Sequence, residues 1–291
     1  MLGVNTSSER LLADIGMACF FMFKLNDRVN GNYVRKRTIL ASIILNLLLG
    51  VGPALGHFGM LIPSDSMILQ GDDRTVTLAL SFSHPFEGRG MDLINPKIFG
   101  VLSKGENHNL LGSLTKTQVM GHTAWSAQFK IKRPGVYIFY MEPQPYWEPA
   151  EDAFIVHYTK TVVTAFGDDE GWDQAVGLKA EIIPLSKPYG LYTGNVFQGI
   201  VKHNGKPVPF AAIEVEYYNK DGRFTAPTPY MITQTVKADK NGVFTYAAPK
   251  AGWWGFAALS PADFKLKHNG IDKDVEIGAV IWVKFHDWQQ R

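Results

Sequence analysis

The residues with most to offer chemically are the histidines. The chain has eight of them and one cysteine. A metal site would therefore use imidazole, carboxylate, methionine or backbone groups, because a thiolate cluster is excluded. His57 follows the small-residue pattern Ala54-Leu55-Gly56. If the chain is cut after Gly56, His57 carries an α-amine and an imidazole on one residue, and the two can chelate a single metal ion. An α-amine has an intrinsic pKa of about 8, so a metal displaces its proton at neutral pH with little penalty. If the chain stays uncut, His57 is an ordinary residue at the head of a sheet.

A companion lies in "SFSHPFEGRGMD", where His84 ends an alternating strand and precedes Pro85. A strand end is a rigid place from which to aim a side chain. Glu87 lies three residues on and adds a hard oxygen. Imidazole suits Ni, Cu, Zn and Co, and the carboxylate can complete the shell or orient the ring. A second cluster, "MEPQPYWEPAEDAFIVHYTK", contains Glu142, Glu148, Glu151, Asp152 and His157. Pro143, Pro145 and Pro149 argue against regular structure there. The stretch reads as a solvated acidic loop, or as a flap carrying a carboxylate or aromatic over a site. Glu142, Asp152 and His157 are its metal candidates, and His157 equally reads as a strand residue satisfied by hydrogen bonds. His108, His122, His203, His268 and His286 read as surface residues. With no phosphate loop, Gly-x-Ser-x-Gly elbow or His-Glu-x-x-His helix, hydrolase chemistry has no seat, and no enzyme activity is expected.

These residues need elements to hold them. Arg35-Lys36-Arg37 and the thirteen-residue apolar run Ile39–Val51, interrupted only by Ser42 and Asn46, lead to Gly52-Pro53 and Ala54-Leu55-Gly56. This is the anatomy of a secretory signal over 35–56, and the run is too short for the roughly 20 residues that span a bilayer. Residues 1–34 read as an extension from a misassigned start, with Val34 as the true initiator, or as a cytoplasmic tail on an uncleaved membrane anchor. The expected location is periplasmic. The whole chain carries a net charge of +2; the first 56 residues hold six Lys/Arg and three Asp/Glu, which leaves 23 and 24 and a net of −1. Neither value calls for a nucleic acid partner. Cys19 falls in the removed segment, so the exported part would have no cysteine, as suits an oxidising compartment.

From residue 57 the chain reads as short strands between turn signals: "RTVTLALSFSHP", "KIFGVLS", "WSAQFKI", "GVYIFYMEP" and "DAFIVHYTKTVVTA". Strands without crossover helices predict a mainly β protein of two antiparallel sandwiches. The first spans 57–164 and would carry the metal site; 165–180 is an acidic, glycine-rich linker; the second spans 181–291. In the second, His203-Asn204-Gly205-Lys206 and Asp239-Lys240-Asn241-Gly242 are both read as tight hairpin turns. The tryptophans of "GWWGF" and "KFHDW" are read as packing this domain.

The elements "GKPVPFAAIEV" and "DKNGVF", in that order, resemble the transthyretin-like or carboxypeptidase-regulatory sandwich, and the first domain is expected to be Ig/CopC-like. Across 57–291, the blocks "HFGMLIPS", "FSHPFEG", "EDAFIVHYTKTVV", "KAEIIPL" and "ADKNGVFTYAAPKAGWWGFAA" resemble the NikK-like exported components of cobalt/nickel energy-coupling-factor transport systems. The resemblance implies capture of Ni(II) or Co(II) outside the cytoplasmic membrane and delivery to a membrane-embedded transporter subunit. It carries over to His57 and His84, with Glu87 in the same block. Three other readings stay open. They are a periplasmic copper handler binding Cu(II), an oxidative enzyme with an N-terminal His-copper brace, and an adhesin-like interaction module without metal.

Overall fold

A computed structural model describes residues 56–290, so the extension and nearly all of the signal segment lie outside the described residues. The described residues lie within one compact unit. Apart from two single-turn 3-10 pieces, the described elements are strands. The mainly β expectation holds, and no helix among the described residues is long and apolar enough to cross a membrane.

The strands that position the site are β1 (Phe58–Pro63), β2 (Thr75–His84), β3 (Ile98–Ser103), β4 (His122–Lys130), β5 (Gly135–Glu142), β6 (Tyr146–Glu148), β7 (Ala153–Ala165), β8 (Ala180–Pro184), β9 (Val196–His203), β10 (Ala212–Tyr217), β11 (Thr233–Lys237), β12 (Val243–Ala247), β13 (Gly252–Pro261) and β14 (Val275–His286). β2 alternates Val76, Leu78 and Leu80 inward with Thr75, Thr77 and Ala79 on the other face. This is the period of two that buries one side of a sheet. β1, β2 and β4 form an antiparallel sheet, extended by Thr115–Val119.

The largest sheet runs β11-β10-β13-β14-β7-β5-β3. Its centre is the parallel pairing of β7 with β14, Phe154 opposite Val275 through Thr161 opposite Trp282. Strands from both halves of the sequence thus share one sheet. Both strands are buried almost throughout, as parallel strands covered on two faces should be. β1 lies across this sheet, where Phe58 and Met60 pack with Ala257, Val280 and Trp282. The Trp282 indole N–H donates to the Gly59 carbonyl at 2.8 Å.

Three details refine the sequence reading. Tyr146–Glu148 is a strand paired with β7, with Pro145 and Pro149 flanking the three residues and not among them. The 203–206 turn is a hairpin, with Asn204 and Gly205 both at positive φ. The 239–242 turn is not. It carries the chain from β11 in the large sheet to β12, which pairs with β9 in a separate sheet. The Asp239 carboxylate accepts from the Asn241 and Val243 amides at 2.7 and 2.9 Å, which fixes the bend without strand pairing. Residues between β7 and β8 are tied down as well. The Glu181 carboxylate accepts from the Val176 amide at 2.9 Å and from buried Lys160 at 2.7 Å.

Candidate metal site

The β1–β2 ladder ends with Phe58 opposite Ser83, so His57 and His84 face each other one rung further out. Their ring centroids are 4.5 Å apart. Phe82, two residues back along β2, stacks on His57 at 5.9 Å and meets His157 edge-on at 5.6 Å.

The hydrogen bonds assign each ring a tautomer. His84 Nδ1 lies 2.9 Å from the Gly56 carbonyl oxygen. A carbonyl only accepts, so Nδ1 carries the proton and Nε2 keeps its lone pair. His57 Nε2 lies 3.1 Å from Glu148 Oε2 on β6; with that oxygen as acceptor, the proton is on Nε2 and Nδ1 is left bare. In His157 the order differs. Nδ1 accepts from the Gly59 amide at 3.2 Å, so the neutral ring carries its proton on Nε2, 3.9 Å from Glu276 Oε1. His57 and His84 therefore each present a nitrogen lone pair. His157, buried, presents an N–H on the side of the Glu276 carboxylate.

The electrostatics favour neutral imidazoles. Burial lowers the His57 pKa, helped by His157 and opposed by Glu148. Burial also lowers that of His84, helped by His57 and opposed by its bond to Gly56. Carboxylates crowd the same place. Glu151 Oε1 lies 3.9 Å from His57 Nδ1, and burial with Glu276 and Glu148 raises its pKa. Glu214 and Glu216 alternate along β10 with buried Ile213 and Val215. Glu214 is pushed up to about 7 by burial, then by Glu276 and Glu151. Burial pushes Glu216 to about 7 as well, even though its carboxylate accepts from Thr233 Oγ1 at 2.6 Å and the Phe86 amide at 2.8 Å.

The remaining candidates lie elsewhere. Glu142 pairs with Lys97 at 3.5 Å, and Asp152 is exposed and bound by Lys273 at 2.6 Å; neither joins the histidine pair. Glu87 acts on His84 only through its charge and lies 3.9 Å from the Arg89 guanidinium. No group of three His, Cys, Asp or Glu among the described residues could hold a metal ion.

A family model described as a domain of unknown function, DUF4198, matches residues 54–262. The chain belongs to the DUF4198 family. No curated protein matches it. Among solved structures, the D0–D1 domain of intimin is similar at 11% identity, covering 77% of this chain and 99% of that one, with a TM-score of 0.22. Adhesin InvE of Yersinia pseudotuberculosis gives 10%, 79%, 61% and 0.21 in the same order. A putative carbohydrate binding protein from Bacteroides uniformis gives 12%, 76%, 96% and 0.23.

The DUF4198 match contains His57, His84, Glu148, His157, Glu214 and Glu216, and it ends before β14, which brings Glu276. Sequence reasoning singled out the two histidines and the Pro-rich segment but took Glu142 and Asp152 from it, where the structure brings Glu148 and Glu151 to His57. Two carboxylates at alternate positions in "AIEVEY" were the available signal for Glu214 and Glu216. Of the histidines read as surface residues, His108 and His122 are exposed, whereas His203, His268 and His286 are half-buried. His268 stacks on Trp147 at 3.9 Å.

Proposed function

We propose that this DUF4198 protein is an exported, non-enzymatic metal-binding accessory that captures Ni(II) or Co(II) and passes it to a membrane-embedded subunit of an energy-coupling-factor importer. The observation that carries this reading is the pair of opposed histidines: Glu148 holds the Nε2 proton of His57 and leaves its Nδ1 bare, and the His84 ring stands 4.5 Å away, its Nδ1 bound in the uncut chain to the Gly56 carbonyl that the cut removes. His57 Nδ1 is also the ring nitrogen that forms a six-membered chelate with its own α-amine. The donor set is then the His57 amine, His57 Nδ1 and a ring nitrogen of His84, with Glu148 orienting the first ring. The block-by-block resemblance over 57–291 to NikK-like components supplies the cargo and partner.

Such a nitrogen set also binds Cu(II), and more tightly than Ni(II) by the usual affinity order, so an affinity for copper does not distinguish the cargo. The test is to purify the protein after export, sequence its N-terminus, and titrate Ni(II) against wild type and His84→Ala. An N-terminus other than His57 removes the amine chelate. Undiminished Ni(II) binding by His84→Ala removes the paired site.

A module that binds an organic ligand instead of a metal is favoured by one feature. A cavity of about 290 Å³ is lined by Phe82, Tyr146, Trp147, Ile155 and His157, with neither His57 nor His84 in its wall. That reading requires aromatic fragments to bind there while Ni(II) does not bind at all.

A further inference from the structure

We propose that Glu214 is the seat of the processed N-terminus, its carboxylate receiving the α-ammonium of His57 once the chain has been cut after Gly56. This rests on the processing step of the proposed function and not on the metal. A signal-processing peptidase adds water across the Gly56–His57 bond. The departing segment takes the new carboxylate, and His57 keeps the amine, which protonates.

The geometry around Gly56 points to this seat. A Cβ placed on Gly56 would lie 2.8 Å from Glu214 Oε2 and 3.1 Å from Thr233 Cγ2, so the backbone leading into His57 passes directly against that oxygen. Gly56 is itself buried. Glu214 Oε2 is buried and has no hydrogen-bond partner among the described residues. The charges acting on Glu214 are Glu276 and Glu151, of its own sign. A buried carboxylate oxygen facing a methylene and two like charges is a costly arrangement. Cutting after Gly56 replaces a neutral peptide unit there by an ammonium with three donors, and a charge-assisted hydrogen bond is the strong kind.

The seat also explains how a free chain end is kept in register. β1 begins at Phe58, so a new N-terminus at His57 stands one residue from the strand and would fray without an anchor. Held by Glu214 in the metal-free protein, the ammonium stays beside the His57 ring and next to His84, whose Nδ1 lies 2.9 Å from the oxygen of the peptide to be cut; a metal ion taking the amine displaces that proton.

The experiment compares thermal unfolding of four proteins in the presence of a chelator: chains beginning at His57 or at Gly56, each with Glu214 intact or as Glu214→Gln. An extra residue displaces the amine by about 3.8 Å. With Glu214 intact, the His57 start is expected to unfold roughly 2–6 °C higher than the Gly56 start, and in Glu214→Gln most of that difference should vanish. A difference of the same size in Glu214→Gln, or no difference with Glu214 intact, overturns the proposal. Chemical acetylation of the His57 amine, which needs no substitution, should reproduce the loss; unchanged stability after acetylation overturns it too. Ni(II) binding, measured separately on the same chains, can fail while this coupling stands. An exported protein whose first residue is not His57 sinks both readings.

Discussion

His57 and His84 face each other one rung beyond the last paired residues of β1 and β2, with their rings 4.5 Å apart. Antiparallel pairing places them there, since Phe58 opposite Ser83 leaves the next two residues nowhere else to go. Ni(II) affinity should therefore depend on both. His84→Ala is expected to weaken it about a hundredfold or more, with thermal stability of the metal-free protein little changed because His84 is only half-buried. Isothermal titration with Ni(II), paired with an unfolding scan, checks this.

Glu148 holds the His57 ring by Nε2. Removing such an outer partner usually lowers metal affinity about 10–100-fold. Glu148→Ala should show that loss, and Glu148→Gln, which keeps an acceptor oxygen, a smaller one. In the metal-free protein, ring-nitrogen NMR should report loss of the Nε2–H tautomer of His57 in Glu148→Ala. An unaltered tautomer would detach Glu148 from the site.

Glu216 is 1% exposed and its pKa is about 7 in the folded protein, against 4.5 for an ordinary carboxyl. The folded state therefore binds this proton more tightly than the unfolded state. The stability it contributes is fully present below about pH 4.5 and is lost as pH rises through about 7. The lowered histidines act oppositely, losing stability as pH falls below about 6.5. Denaturant unfolding at pH 5 and pH 8 should show Glu216→Gln losing less stability with rising pH than wild type, by on the order of 2–3 kcal/mol. Parallel curves would mean that Glu216 is ionised throughout.

Gly278 sits opposite His157 in the β7–β14 pairing. A Cβ there would lie 2.8 Å from His157 Nε2, a ring buried to 1% exposure. Gly278→Ala should cost about 1–3 kcal/mol by overpacking and should break the bond from the Gly59 amide. Faster hydrogen exchange at Gly59 is the expected signature.

Much of this was legible because it is local. The alternation in "RTVTLALSFSH" placed β2 and put His84 at its end, and the junction at Gly56 singled out His57. What escaped is set by partners far away in sequence. Nothing around His157 announces that Gly278 will lie beside it. Nothing in "AIEVEY" says that Glu214 and Glu216 will meet Gly56 and Phe86. The Asp239 turn has the residues of a hairpin, yet the sheets on either side of it take its two strands apart. The prolines of "PQPYWEP" do bar a long strand, but three free residues between them are enough for β6 to pair and deliver Glu148.

The parallel pairing of β7 with β14 also sets an order of events. A chain emerging N-terminus first presents His57 and His84 early, and both must wait for the final strand. Glu276, Gly278 and Trp282 arrive more than 190 residues after His84 in the sequence, and the Trp282–Gly59 hydrogen bond spans 223 residues. Loops of that length close late in folding. The β14 contacts around the histidines thus depend on chain far downstream of them, and a complete cluster marks that β14 is in place.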